Sequence, residues 1–221
     1  MISRRRMLLL APWLLAGASW AAALPAAQAT TALDDYLNGL STWSAQFTQT
    51  ITDSRGKRVA DGDETGRLII VRPGKFRWES TPKETPEAAR LMVADGANLW
   101  FYDEDLEQAT VEPLDEALSQ SPAMLLAGNA NLREAFEVVA DGRRDGLEWV
   151  RVRPKSAESD FQEALFGFRG RELSRLVAVN KLGQRSTLEF RGVQRNAAVD
   201  PKLVQFEPPA GVDVIGKPVP R

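Results

Sequence analysis

Cysteine and histidine are both absent from the 221 residues of this chain. Without cysteine there is no disulfide, no thiolate nucleophile and no residue to carry a thioether-linked lipid anchor. Without histidine the usual general base and the commonest metal ligand are gone, so Ser-His, Cys-His and Cys/His zinc centres are excluded. An enzyme would have to run on carboxylates, lysine or tyrosine alone. A basic surplus is missing too, since 28 Lys+Arg stand against 30 Asp+Glu. That balance argues against nucleic acid as a partner. No linker, repeat or low-complexity segment divides the chain, and its length suits one domain with a sizeable core.

What is present at the N-terminus is an export signal. Met1 to Arg6 carries three arginines and no acid, Met7 to Trp20 is apolar, and Ala27-Gln28-Ala29 fits the small-x-small cleavage rule. Residues 1–29 are expected to be removed, leaving 30–221 as a single domain. The apolar run is shorter than the ~20 residues of a membrane span and Pro12 interrupts it, so no stable membrane insertion is expected. Ser3-Arg4-Arg5 leaves both the general and the twin-arginine export routes open. Loss of Arg4, Arg5 and Arg6 takes the formal charge from −2 to −5, with 25 basic residues against 30 acidic.

Leu33, Tyr36, Leu37 and Leu40 recur at helical spacing after the candidate cap Thr31. From Trp43 the period changes to two, with Trp43, Ala45, Phe47, Gln49 and Ile51 on one face. That predicts a half-buried strand. Asp53-Ser54-Arg55-Gly56 then turns into a strand ending at Val71, and Pro73 stops it. The stretch from Arg72 to Asp103 alternates large aromatics with cations and small residues, and Asp95-Gly96 predicts a tight hairpin turn. Gln108 to Glu112 reads as a further strand, and Leu114 to Gly128, with Pro122 inside, as two short helices with an apolar face. Strands resume from Phe136 to Ala140 and Leu147 to Pro154. Three more follow, carrying Ala164, Phe166 and Phe168, then Leu173, Arg175, Val177 and Val179 on one face, then Leu188 and Phe190. The Pro- and Gly-rich tail from Pro208 is expected to be irregular. The result is a mainly β (α+β) protein of about ten or eleven antiparallel strands. A sheet of that size curls, and its concave face must be filled or covered.

An ordered set of motifs from about Leu33 to Val214 closely resembles the periplasmic outer-membrane lipoprotein carrier family, LolA. The set comprises Phe47-Thr48-Gln49, Gly66, Arg72-Pro73, Phe76 with Trp78, Asp95-Gly96 with Leu99-Trp100-Phe101-Tyr102, and Gln108-Ala109-Thr110. Pro122 with Met124-Leu125, Pro154-Lys155 and Phe206 with Pro208 to Val212 complete it. The resemblance implies an unclosed antiparallel β-barrel with a short-helix lid over a hydrophobic cavity, in a periplasmic protein with no enzyme activity and no cofactor. It implies acylated lipoproteins as cargo, an inner-membrane ABC lipoprotein-releasing complex (LolCDE) as donor and an outer-membrane receptor (LolB) as acceptor. The receptor of this fold carries a lipid-modified cysteine, so a chain without cysteine matches the carrier.

By the same resemblance, Arg72 corresponds to an arginine that bonds lid-helix carbonyls and locks the closed state. Its plain alternative is a solvated cation at a strand end. Phe76 corresponds to a position used in exchange with partners, and its alternative is core packing. Trp78, Met92, Trp100, Leu118, Met124, Leu125 and Leu126 are candidates for acyl-chain contact, each with core packing as the alternative. The acidic clusters Asp61-Gly62-Asp63-Glu64 and Asp103-Glu104-Asp105 match no EF-hand loop and read as solvated turns. Gly211 to Lys217 opens like a phosphate-binding loop, but Pro218 stands where Ser or Thr is needed. Other readings are a same-fold periplasmic lipid or lipoprotein-sensing regulator, a carboxylate-based hydrolase and a purely structural periplasmic protein.

Overall fold

The computed structural model describes residues 30–60, 62–86, 89–114, 124–128, 132–157, 159 and 161–220. After helix α1 (Ala32–Leu37) come β1 (Thr42–Thr52), β2 (Glu64–Val71), β3 (Lys75–Pro82), β4 (Arg90–Asp95), β5 (Asn98–Asp103) and β6 (Gln108–Pro113). Two one-turn helices follow, α2 (Met124–Ala127) and α3 (Leu132–Ala135). The chain then forms β7 (Phe136–Arg144), β8 (Leu147–Pro154), β9 (Phe161–Arg169), β10 (Glu172–Asn180), β11 (Arg185–Arg195), a 3-10 turn (Pro201–Val204) and β12 (Asp213–Ile215).

All twelve strands form one sheet, in the order β12-β6-β5-β4-β3-β2-β1-β11-β10-β9-β8-β7. Two hairpin meanders, β1–β6 and β7–β11, are thus joined side by side through β1 and β11. The edges β12 and β7 are not paired to each other, so the barrel is unclosed. The strand count exceeds the expected ten or eleven because the tail is not wholly irregular. Its Asp213–Ile215 segment pairs in parallel with β6 and occupies an otherwise free edge.

The sheet has two apolar faces of unequal size. The inner face carries the main core, with Trp43, Phe47, Leu68, Ile70, Phe76, Leu99, Phe166, Phe168 and Leu173 all buried there. Aromatic pairs knit it across strands, with Trp43 edge-on to Phe190 at 5.1 Å and Phe47 tilted over Trp78 at 4.3 Å. Gly66 makes the second pair possible. A Cβ there would lie 2.5 Å from the Phe47 ring and 2.0 Å from the Glu79 carbonyl oxygen. On the outer face, Val93, Trp100, Ala109, Val111 and Phe206 form a smaller cluster, and Leu147, Trp149 and Leu165 another.

Two expectations drawn from alternation are corrected here. The face expected to hold Leu173, Arg175, Val177 and Val179 together is broken by a bulge, because the register of β10 against β9 shifts between Leu173 and Arg175. Leu173 and Leu176 consequently both face inward, whereas Val177 packs in the outer cluster of Trp149 and Leu165. Arg175 lies opposite Glu189 and pairs with it at 2.6 Å, which explains a cation in mid-strand. The second correction concerns Glu64, expected in a solvated turn. It is buried at the start of β2, ion-paired with Arg90 at 2.8 Å.

Candidate functional site

The short helices lie over one end of the inner face. α1 begins with a full capping box, in which Thr31 and Asp34 satisfy each other's backbone amides. Its buried face is Leu33 and Tyr36. Trp43 Nε1 donates to the Tyr36 hydroxyl at 2.6 Å, and the Tyr36 ring meets Phe168 edge-on at 5.3 Å. Arg195 stacks 4.3 Å above that ring while donating to the Tyr36 carbonyl at 2.7 Å. Burial raises the Tyr36 hydroxyl pKa, so the group stays neutral. In α2, Leu125, Leu126 and Ala127 are buried in the same core, and in α3 Leu132 packs against it.

Arg72 joins two of these helices to the sheet. It follows β2, and its backbone N–H donates to the Ser41 carbonyl at 2.8 Å, which fixes the stem of the side chain. The guanidinium Nη1 donates to the Leu37 carbonyl at the end of α1, at 3.0 Å. Nε and Nη2 both donate to the Gly128 carbonyl just beyond α2, at 3.1 and 2.7 Å. Carbonyls at helix C-termini have no intrahelical partner, and a planar guanidinium can serve two of them at once. Gly74, with its φ of +72° in the β2–β3 turn, adds a backbone bond from its N–H to the Ala127 carbonyl at 2.8 Å. Burial lowers the Arg72 pKa from its ordinary value. A guanidinium nevertheless starts so high that it keeps its charge.

A second tie joins α1 to α3. The Asp34 carboxylate accepts from Arg133 Nη2 at 2.6 Å and from Nε at 3.2 Å, while also accepting from Thr31. Lys155 Nζ donates to the Arg133 carbonyl at 2.6 Å, which anchors α3 to the end of β8. Partial burial pushes the Asp34 pKa up, but the hydrogen bonds and charge of Arg133, with the bonds from Thr31, outweigh it and hold the carboxyl below its ordinary value.

The residues predicted from sequence fall in three places. Arg72 lies at the lid, and Leu125 and Leu126 beneath it in the inner core. Phe76 is buried in the same core, opposite Ile70 on one side and Ala94 on the other. Trp78 and Met92 face each other further along the inner face and are only partly buried. Trp100 lies on the outer face, its ring tilted against Phe206 with centroids 5.4 Å apart and its Nε1 donating to Asp95 at 3.2 Å. Its neighbour Leu99 takes the inward position, because successive strand residues alternate faces. Leu118 lies outside the described residues, as does the side chain of Met124, whose backbone opens α2. The Asp34–Arg133 pair and the inward-facing Phe101 were not anticipated. An aspartate at the third position of a helix after Thr31 signals a cap, but nothing in the sequence pairs it with an arginine 99 residues away. Among the described residues no group of acids could hold a metal ion.

The family model described as outer membrane lipoprotein carrier protein LolA matches residues 38–207. The chain is 40% identical over 187 residues to the outer-membrane lipoprotein carrier protein of Nitrosospira multiformis, covering 84% of this chain and 87% of that one. It is 38% identical over 205 residues to that of Chromobacterium violaceum, covering 91% and 96%. A solved LolA superfamily protein from Nitrosomonas europaea aligns at a TM-score of 0.45 and 12% identity, over 80% of this chain and 99% of that one. The match across most of its length places the chain in the outer membrane lipoprotein carrier family, LolA.

Proposed function

We propose that this chain is a periplasmic carrier that takes lipoproteins leaving the inner membrane, shields their acyl chains against its inner face and delivers them to the outer membrane. The observation that supports the reading is the set of bonds from Arg72 to two helix-end carbonyls, which ties short helices over a large apolar surface. Each methylene hidden from water is worth about 0.8 kcal/mol, so free acyl chains would hold a lipoprotein in a membrane or aggregate it. A shuttle needs comparable apolar surface that can be closed when empty and opened when loaded. Hydrogen bonds from one side chain are a suitable closure, because they break without disturbing the sheet. In this reading Arg72 is the lid lock, and Phe76, Leu125 and Leu126 are apolar surface exposed when the lid lifts. The proposed donor is the inner-membrane ABC complex LolCDE, and the proposed acceptor is the outer-membrane receptor LolB.

The test is to add purified residues 30–221 to spheroplasts synthesising lipoprotein. A soluble complex containing triacylated lipoprotein is expected to leave the inner membrane. No release, with the transporter active, would overturn the carrier reading.

A further inference from the structure

A polar cleft of about 590 Å³ runs along the seam between α1 and the rim of the sheet. Asp35 of α1 and Asn38 just after it line one side, and Arg171 of the β9–β10 turn lines the other. Tyr36 and Phe168, whose rings meet edge-on in the inner core, also reach it. The cleft therefore runs from solvent to the edge of the buried apolar face. Several of its polar groups are unpartnered. Asp35, Asn38 and Arg171 are exposed, and among the described residues none of their side chains has a hydrogen-bond or ion-pair partner. Their neighbours differ: Asp34 is taken by Thr31 and Arg133, and Glu148, at the same cleft, by Arg143 at 2.9 Å. Arg195 stacks on Tyr36 and donates one Nη2 bond to its carbonyl, which leaves further N–H groups for the cleft.

We infer that this cleft seats the peptide tether of the cargo, the segment that follows a lipoprotein's acylated residue, and holds it through its backbone. The inference rests on the carrier reading and deepens it. With acyl chains against the inner face and the folded cargo outside, the chain that links them must cross the seam between lid and rim. A peptide that leaves water in a cleft needs partners for its N–H and C=O groups. The Asp35 carboxylate accepts from N–H, Arg171 donates to C=O, and the Asn38 amide does both. Among the described lining residues two arginines, Arg171 and Arg195, balance two acids, Asp35 and Glu148, so no net charge selects an acidic or a basic tether. A carrier that serves cargos of differing sequence can rely on the backbone, the feature that they share. The volume lies within the range of a ligand pocket.

Calorimetry on the full mature chain tests this with two ligands. One is a palmitoylated Gly-Ser peptide of about ten residues, a flexible tether. The other is N-methyl palmitamide, which has the same acyl chain and no tether. The wild type is expected to bind the tethered ligand about ten-fold more tightly, the contribution of two ordinary hydrogen bonds. Asp35→Ala combined with Arg171→Ala should remove that preference and hold the affinity for N-methyl palmitamide within about two-fold. Both side chains are exposed, so the thermal midpoint of this variant should match the wild type. Equal affinity of the wild type for the two ligands would overturn the inference, as would a preference that survives in the double variant. A benzophenone placed early in the tether gives an independent reading. Adducts are expected on Asn38, Gly170 or Arg171. Adducts that miss the cleft, for instance at Leu182 in the turn at the other end of β10, would overturn it. If N-methyl palmitamide itself does not bind, the carrier reading falls together with the seat. If it binds and the tether adds nothing, the seat alone falls.

Discussion

Replacing Arg72 with leucine removes three hydrogen bonds to two carbonyls, those of Leu37 and Gly128. Hydrogen bonds to a charged donor contribute about 1.5–3 kcal/mol when well shielded, and less at a half-buried site where water can replace them. With two carbonyls freed at roughly 1 kcal/mol each, lid closure should weaken by about 2 kcal/mol, or roughly thirty-fold in the open population. The Gly74 amide is a direct reporter, because its N–H reaches the Ala127 carbonyl only while α2 is docked. Its hydrogen exchange should quicken by about the same factor, roughly thirty-fold, while amides in the centre of β1 and β11 keep their protection. Global stability should change little, since the sheet ladder does not involve the guanidinium. Arg72→Lys should fall between the two, because an ammonium cannot match the two-carbonyl geometry. In transport, the leucine variant should load lipoprotein but reclose and release it poorly. Unchanged exchange at Gly74 in a folded Arg72→Leu protein would refute the latch.

Three further predictions follow from other contacts. The Asp34 carboxyl is held below its ordinary pKa, so its contribution is fully present above the usual carboxylate range and is lost as pH falls through the depressed value. The exchange protection of α1 should therefore drop on acidification in the wild type and show a much weaker pH dependence in Asp34→Asn. Trp100→Ala should cost about 3 kcal/mol in denaturant unfolding, as for other buried tryptophans. It should nonetheless leave lipoprotein release from spheroplasts unchanged in the folded variant, because Trp100 packs on Phe206 on the outer face of the sheet. Gly66→Ala should destabilise by about 3 kcal/mol or more, because the new methyl would lie 2.0 Å from the Glu79 carbonyl oxygen and 2.5 Å from the Phe47 ring. A urea midpoint equal to wild type would show that β2 and β3 can separate there without cost.

Much of this architecture is legible in the sequence, and the parts that are not have physical causes. Alternation from Trp43 to Phe47 finds its face because only one side of β1 is apolar. It fails at Leu99-Trp100-Phe101-Tyr102 because both sides are: the inner face is core, and the outer face is covered by the tail through Phe206. No period can tell two apolar faces apart. In β10 the bulge after Leu173 changes the phase in mid-strand, and no residue there announces it. The short β12 is invisible for a different reason. Its three residues gain their strand geometry from the waiting edge of β6, not from their own propensity. The lock role proposed for Arg72 rests on family resemblance and on no local signal in the sequence. A cation at a strand end is ordinary until the ends of α1 and α2 are brought beside it.

The central claim is that acyl chains lie on the inner face of the sheet. Lipoprotein bearing a photoreactive acyl chain, cross-linked to the protein and mapped by peptide mass spectrometry, tests it most directly. Adducts are expected on inward-facing residues such as Met92, Phe101 and Leu126. Adducts confined to the outer cluster around Trp100 and Phe206 would contradict it.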